Sequence, residues 1–285
     1  MKRSTVWGVA ALTAAAGLLA AVGCGDQPAA DTSKSASATQ TQQTPPTEKS
    51  AAVTPATPPK TTTAPPVDVK PAAGTASIVG KVVYNGEPPK RKPINFGPEK
   101  KCHEHHSSPP MEETLVVGAD RGIQWTLVRI AGKVAGNYPP SAKPAVLDQK
   151  GCVFSPHILP VMTGQEVEIR NSDPVLHNVR LEATLNPPFN RNLPKPGDAM
   201  TVKFTAAEVG LKIKCDVHFW MGGYIHVLPH PFFGVTGEDG AFTIDKVPPG
   251  THKLEAWHEK LGKQTQEVTV KDGEVKTVEF VFQPK

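Results

Sequence analysis

Residues 214–227 read K-C-D-V-H-F-W-M-G-G-Y-I-H-V. Within them Cys215, His218 and Met221 follow a Cys-x2-His-x2-Met spacing, and His177 lies upstream in N-S-D-P-V-L-H-N-V. A thiolate, two imidazoles and a weak axial thioether suit an ion that must exist as both Cu(II) and Cu(I) with little rearrangement, which is single-electron chemistry. Cys215 is expected to bind as the thiolate, the form that ligates metals. Three donors on one short loop and a fourth on a neighbouring strand need a scaffold that fixes their geometry.

That scaffold reads as β-structure. Ile78–Tyr84 is β-branched and ends at Asn85-Gly86, a tight-turn signal. Leu115–Val117, Ile123–Ile130 (with Trp125 and Leu127 on one face), Ala145–Leu147, Val167–Ile169, Val179–Leu181, Thr201–Phe204, Leu211–Ile213 and Tyr224–Leu228 continue the pattern. Short strands separated by Gly and Pro turns predict an all-β sandwich, and no long helix is expected. A second pattern starts after Pro229: Val235-Thr236, a Gly237–Gly240 turn, Phe242 and Ile244, a V-P-P-G turn at 247–250, and alternating apolar residues to Phe282. The expected organisation is a signal segment at 1–24, a disordered linker at 25–76, a copper domain with an N-terminal extension at 77–229, and a small β-sandwich at 230–285.

From about Val153 to Leu228 the chain resembles the cupredoxin family of plastocyanin-like and amicyanin-like electron carriers. The resemblance rests on Gly164-Gln165-Glu166-Val167, Asn171, His177-Asn178-Val179, Phe204-Thr205, Cys215, His218 and Met221. It implies a Greek-key β-sandwich holding one type 1 (blue) copper. By the same resemblance His177 is the buried imidazole and His218 the exposed one, whose ring edge serves as the electron port. Asn178 resembles the residue that ties the ligand strand to the cysteine loop. Phe219 stands where the family often has Pro; with Trp220 it is expected to shield the site and offer an apolar docking surface. The stretches D-G-A-F-T-I and V-P-P-G-T-H-K-L-E-A-W are similar to the carboxypeptidase regulatory-like, transthyretin-like module, which implies a structural or binding unit. Residues 230–285 are short for a complete sandwich, and Ile78–Tyr84 is the candidate for a borrowed strand.

Lys2 and Arg3 precede an apolar run from Val6 to Val22, the n-region and h-region of an export signal. Ala21-Val22-Gly23-Cys24 resembles a bacterial lipoprotein cleavage box, with Ala21 where Leu is commoner; this implies lipidation at Cys24. An ordinary signal peptide or an uncleaved anchor would also place the remainder outside the cytoplasm. The Thr-, Ala- and Pro-rich stretch that follows lacks apolar periodicity and cannot offset its ordering entropy. As a flexible tether it would reach roughly 40 Å.

Four cysteines are present. With Cys24 assigned to lipid and Cys215 to copper, Cys102 and Cys152 remain, and an oxidising compartment favours a Cys102–Cys152 disulfide. The competing reading makes Cys102, His103, Glu104, His105 and His106, with Cys152 and His157, a second zinc or copper site. Adjacent residues in one run rarely converge on one ion, so the disulfide with solvated histidines is preferred. His103 and His105 cannot alone build a trinuclear copper cluster, so an oxidase is not expected. His226 and His230 read as framework, and His258, beside Trp257, as a loop or edge residue. The net charge of +4 includes Lys2 and Arg3, and no basic stripe interleaved with aromatics suggests nucleic acid.

The expectation is a lipid-anchored protein of the periplasm or cell surface that transfers single electrons between redox partners such as a cytochrome or a dehydrogenase. It is not expected to be an enzyme, because it makes and breaks no covalent bond. The alternative is a cell-envelope binding or structural lipoprotein whose cupredoxin-like domain is non-redox or stores or delivers copper.

Overall fold

A computed structural model describes residues 74–285. Cys24, the 1–24 segment and nearly all of the 25–76 linker therefore lie outside the described residues. Among the described residues the chain forms sixteen strands and one short helix. In order they are β1 (Ala76–Tyr84), α1 (Lys100–Glu104), β2 (Leu127–Ile130), β3 (Ala145–Gln149), β4 (Phe154–Ser155) and β5 (Ile158–Met162). There follow β6 (Glu166–Asn171), β7 (His177–Glu182), β8 (Phe189–Leu193), β9 (Ala199–Lys203), β10 (Glu208–Lys214) and β11 (Gly222–Leu228). The last are β12 (Phe233–Val235), β13 (Ala241–Val247), β14 (Gly250–His258), β15 (Gly262–Val270) and β16 (Val275–Phe282). The fold is all-β.

The strands make four sheets around two cores. Sheets ordered β5-β11-β10-β7-β8 and β4-β3-β6-β9 supply the first core, which includes Leu147, Val167, Ile169, Val179, Leu181, Leu211, Ile213, Ile225 and Val227. Period-2 alternation puts one side of each strand into that core, as on β6, where Val167 and Ile169 are buried between more exposed Glu166, Glu168 and Arg170. Sheets ordered β13-β1-β16 and β12-β2-β14-β15 supply the second.

The second core draws on both ends of the described chain. β1 lies between β13, to which it is antiparallel, and β16, to which it is parallel from Ser77↔Val275 to Tyr84↔Phe282. This is the strand expected to be borrowed. β2 is a second such contribution: it pairs with both β12 and β14. Ile78, Val82, Tyr84, Ile123, Val128 and Ile130 thus pack with Phe242, Leu254 and Phe280. The sheets therefore cross the boundary placed at 229/230.

Three local readings differ from expectation. Leu115–Val117 forms no strand, only an isolated bridge from Val117 to Ile123. The strand expected from Ile123 begins at Leu127, because Trp125 adopts φ +61°, which takes the backbone out of the extended region. A one-turn helix, α1, forms around buried Cys102.

The two cores meet beside β11. Tyr224 and His226 pack edge-on against Trp257 at ring distances of 5.0 and 4.6 Å. His157, just before β5, pairs with Glu259, just after β14. β11 runs parallel to β5, and a Cβ on Gly223 would lie 2.6 Å from the His157 carbonyl oxygen. Glycine there lets the strand leaving the 215–221 loop close against its neighbour.

Candidate metal centre

His177 opens β7. Cys215, His218 and Met221 lie on the 215–221 loop between β10 and β11. β7 and β10 are paired at Lys214↔Arg180 and Ile213↔Leu181, so the sheet itself brings the histidine strand to the root of the cysteine loop. The loop closes on itself through Cys215 N donating to the Met221 carbonyl at 3.2 Å and Met221 N donating to the His218 carbonyl at 2.9 Å.

Side-chain donors of His177, Cys215 and His218 lie within 4.8 Å of one another, and all three residues are buried. The two Nδ1 atoms are 3.0 Å apart, and His218 Nδ1 is 3.8 Å from Cys215 Sγ. Met221 is 1% exposed and belongs to the same core as Cys215. Cys215 Sγ accepts from the backbone N–H groups of Asn178 (3.4 Å) and His218 (3.3 Å). Burial alone pushes this thiol up; hydrogen bonds from His177, His218 and these two amides outweigh it and bring the pKa down to about 6. A sulfur that is thiolate at neutral pH beside two imidazoles is a donor set suited to copper.

His177 is oriented by Asp173, a residue the sequence reading did not single out. His177 Nε2–H donates to Asp173 Oδ2 at 2.8 Å, which turns Nδ1 inward, towards His218 Nδ1 and Cys215. Burial pushes the Asp173 carboxyl up, but His177 and the Cys152 and Gly151 amides hold it below the usual carboxylate range. Burial pushes His177 down, and Asp173 and Cys215 more than offset it, so its pKa is raised. The carboxylate is set by Asn171, whose Oδ1 accepts from Asp173 N at 2.8 Å and whose Nδ2 donates to the Val175 and Leu193 carbonyls, both at 2.8 Å. The available signal was an acidic residue in the N-S-D-P turn, four positions before His177.

Asn178 bridges the ligand strand to the cysteine loop: its Oδ1 accepts from Asp216 N at 3.3 Å, and its Nδ2 donates to Asn192 Oδ1 at 3.0 Å and to Asn190. Trp220 is half-buried, with its ring 5.0 Å from that of His218, and its Nε1–H donates to the Cys152 carbonyl at 3.0 Å. Phe219 points outward at 84% exposure. His218, expected to be the exposed imidazole, is only 3% exposed. The pinned indole of Trp220 lies across one side of it and the His177 ring, 4.9 Å away, against another.

Cys102 and Cys152 form the expected disulfide. The histidines in and just after α1 diverge. His103 Nε2 meets the Gly97 carbonyl at 3.2 Å, His106 Nε2 meets the Gly151 carbonyl at 2.8 Å, and His105 lies 3.7 Å from Asp173 Oδ1. Among the described residues they form no metal-binding group. The other cluster of donor residues, Cys152, Asp173 and His177, contains a cysteine already in the disulfide.

Residues 232–278 match the family model for polysaccharide lyase family 4, domain II, within the stretch read as a carboxypeptidase regulatory-like module. No curated protein sequence matches the chain. Solved structures similar to the chain include a purple cupredoxin, amicyanin and a copper-containing nitrite reductase. A purple cupredoxin from Nitrosopumilus maritimus is 24% identical over 30% of this chain and 99% of its own, with a TM-score of 0.26. The M51A variant of amicyanin in its Cu(I) form is 22% identical over 35% of this chain and 98% of its own, at 0.28. The copper-containing nitrite reductase of Thermus scotoductus SA-01 is 23% identical over 35% of this chain, at 0.28. The chain spans about a quarter of the length of that reductase, 25%.

Proposed function

We propose that the protein is an exported copper protein that passes single electrons between redox partner proteins. His177, Cys215 and His218 would hold the copper, with Met221, buried in the same core, as a fourth and weaker donor. The observation that supports this most directly is the meeting of three buried donors from β7 and the 215–221 loop, one with its tautomer set by Asp173. Copper held there supplies a one-electron couple. The residues of the chain supply rigidity. Asn171 and Asp173 hold one imidazole, Trp220 backs the other, and two backbone amides point at the sulfur. Such preorganisation keeps rearrangement small when charge changes.

With His218 covered, the surface offered to a partner is the apolar rim beside the ligands: Leu176 (40% exposed), Val217 (48%) and Phe219. In this reading a cytochrome or a dehydrogenase docks on that rim, and the protein catalyses no bond-making step. A lipid on Cys24 would hold the head at a cell-envelope membrane, in the periplasm or at the cell surface.

Adding Cu(II) to the purified protein tests the reading. One equivalent is expected to give an intense visible sulfur-to-copper absorption and a reversible redox couple, both lost in Cys215→Ser. A colourless, redox-silent protein would overturn it in favour of a binding, structural or copper-storage lipoprotein.

A further inference from the structure

One short turn, Gly151-Cys152, is connected to both imidazoles. Gly151 N and Cys152 N donate to the two oxygens of Asp173 at 2.7 and 2.8 Å, and Asp173 in turn holds His177. The Cys152 carbonyl accepts from Trp220 Nε1, and Trp220 packs on His218. The Gly151 carbonyl meets His106, which stacks on Phe96 at 5.6 Å; Phe96 in turn packs on Trp220 at 5.3 Å. Lys101, on α1, donates to the Pro174 carbonyl in the loop before His177 at 3.2 Å.

The turn has an unusual backbone. Gly151 and Cys152 both take positive φ, +68° and +57°. Glycine adopts this region freely, whereas a residue with a Cβ is disfavoured there and persists only where its surroundings hold it. At Cys152 the disulfide to Cys102 ties the side chain to α1. If the turn relaxed, Asp173 would lose two charge-assisted donors in a buried setting. Trp220 would lose the acceptor that keeps its indole over His218.

We infer that the Cys102–Cys152 disulfide is a positioning element for the metal centre, holding the 151–152 turn so that it orients His177 through Asp173 and covers His218 through Trp220. This rests on the copper-site reading, but it predicts a change in the metal-free protein too. A disulfide that merely staples the N-terminal extension to the first core would alter stability and leave the ligand pocket as it is.

The experiment compares the full chain with its C102S/C152S variant, using far-UV circular dichroism to establish that both are folded. In the metal-free state, alkylation of Cys215 by iodoacetamide is followed by mass mapping of its own peptide, which separates it from Cys24. The variant is expected to alkylate at least about 10-fold faster, and to bind Cu(II) about 10- to 100-fold more weakly with a shifted absorption band, the usual scale for loss of a supporting partner. Trp220→Phe, which keeps the disulfide, removes the bond to Cys152 and leaves a smaller ring over His218, is expected to move the band and the alkylation rate in the same direction by a smaller factor. A folded C102S/C152S variant with both quantities within about twofold of the parent overturns the inference. If that variant does not fold, unchanged values in Trp220→Phe overturn it. If the parent binds no copper, the proposed function fails while the alkylation arm still decides this inference.

Discussion

His226 offers a test of the junction between the cores. It lies on β11, fully buried, with Nδ1 accepting from Gly210 N at 3.1 Å and its ring against Trp257. Its Nε2 is buried with no hydrogen-bond partner among the described residues. Burial, with a smaller contribution from the Arg129 charge, pushes its pKa from 6.5 down to about 3. Between those two values the unfolded chain carries a proton that the folded chain refuses, so stability is full above pH 6.5 and falls as the pH drops towards the folded value. For this group alone the loss is about 2 kcal/mol at pH 5 and about 3 kcal/mol at pH 4. His258, lowered by burial to about 4, loses stability over the same range, so the comparison must isolate His226. His226→Asn places an amide oxygen where Nδ1 accepts from Gly210 and does not titrate. Urea unfolding of both metal-free proteins should show the parent losing about 2 kcal/mol more than the variant between pH 7 and pH 5, or about 4–8 °C in Tm. Parallel pH profiles, within about 0.5 kcal/mol, would refute the claim that this imidazole is held neutral by burial.

Two further outcomes test how the sheets are assembled. A fragment of residues 230–285 should be unfolded, because it lacks β1 and β2. Losing six buried apolar side chains, Ile78 to Ile130, removes roughly 9–18 kcal/mol against a typical total of about 5–15; a dispersed amide NMR spectrum from the fragment would contradict this. Gly223→Ala puts a methyl against the His157 carbonyl and should cost about 1–3 kcal/mol by thermal melting. Gly222→Ala, whose nearest contact would be 3.8 Å away, should be near-neutral, and equal effects at the two glycines would count against the tight β5–β11 approach.

Much of the site was legible because its signals are local. The Cys-x2-His-x2-Met spacing puts three donors within one loop whatever surrounds it, and strand alternation on either side marks that loop as the end of a sheet. His177 could be placed only through the family resemblance, since its approach depends on pairing of β7 with β10, a long-range register. The disulfide followed from counting, because in the oxidising compartment the sequence reading expected, few thiols stay unpaired.

What the sequence alone determined was the β class, the close spacing of Cys215, His218 and Met221, and which two cysteines were left to pair, each carried by residue type, short spacing or counting. Tertiary structure alone decided that β2 joins β12 and β14, that Asp173 stands behind His177, and that Trp220, bonded to a carbonyl 68 residues away, buries His218. Those are contacts between distant segments. Their geometry depends on which edge each strand finds free and on which backbone groups are left to accept a proton, and neither is written in local pattern.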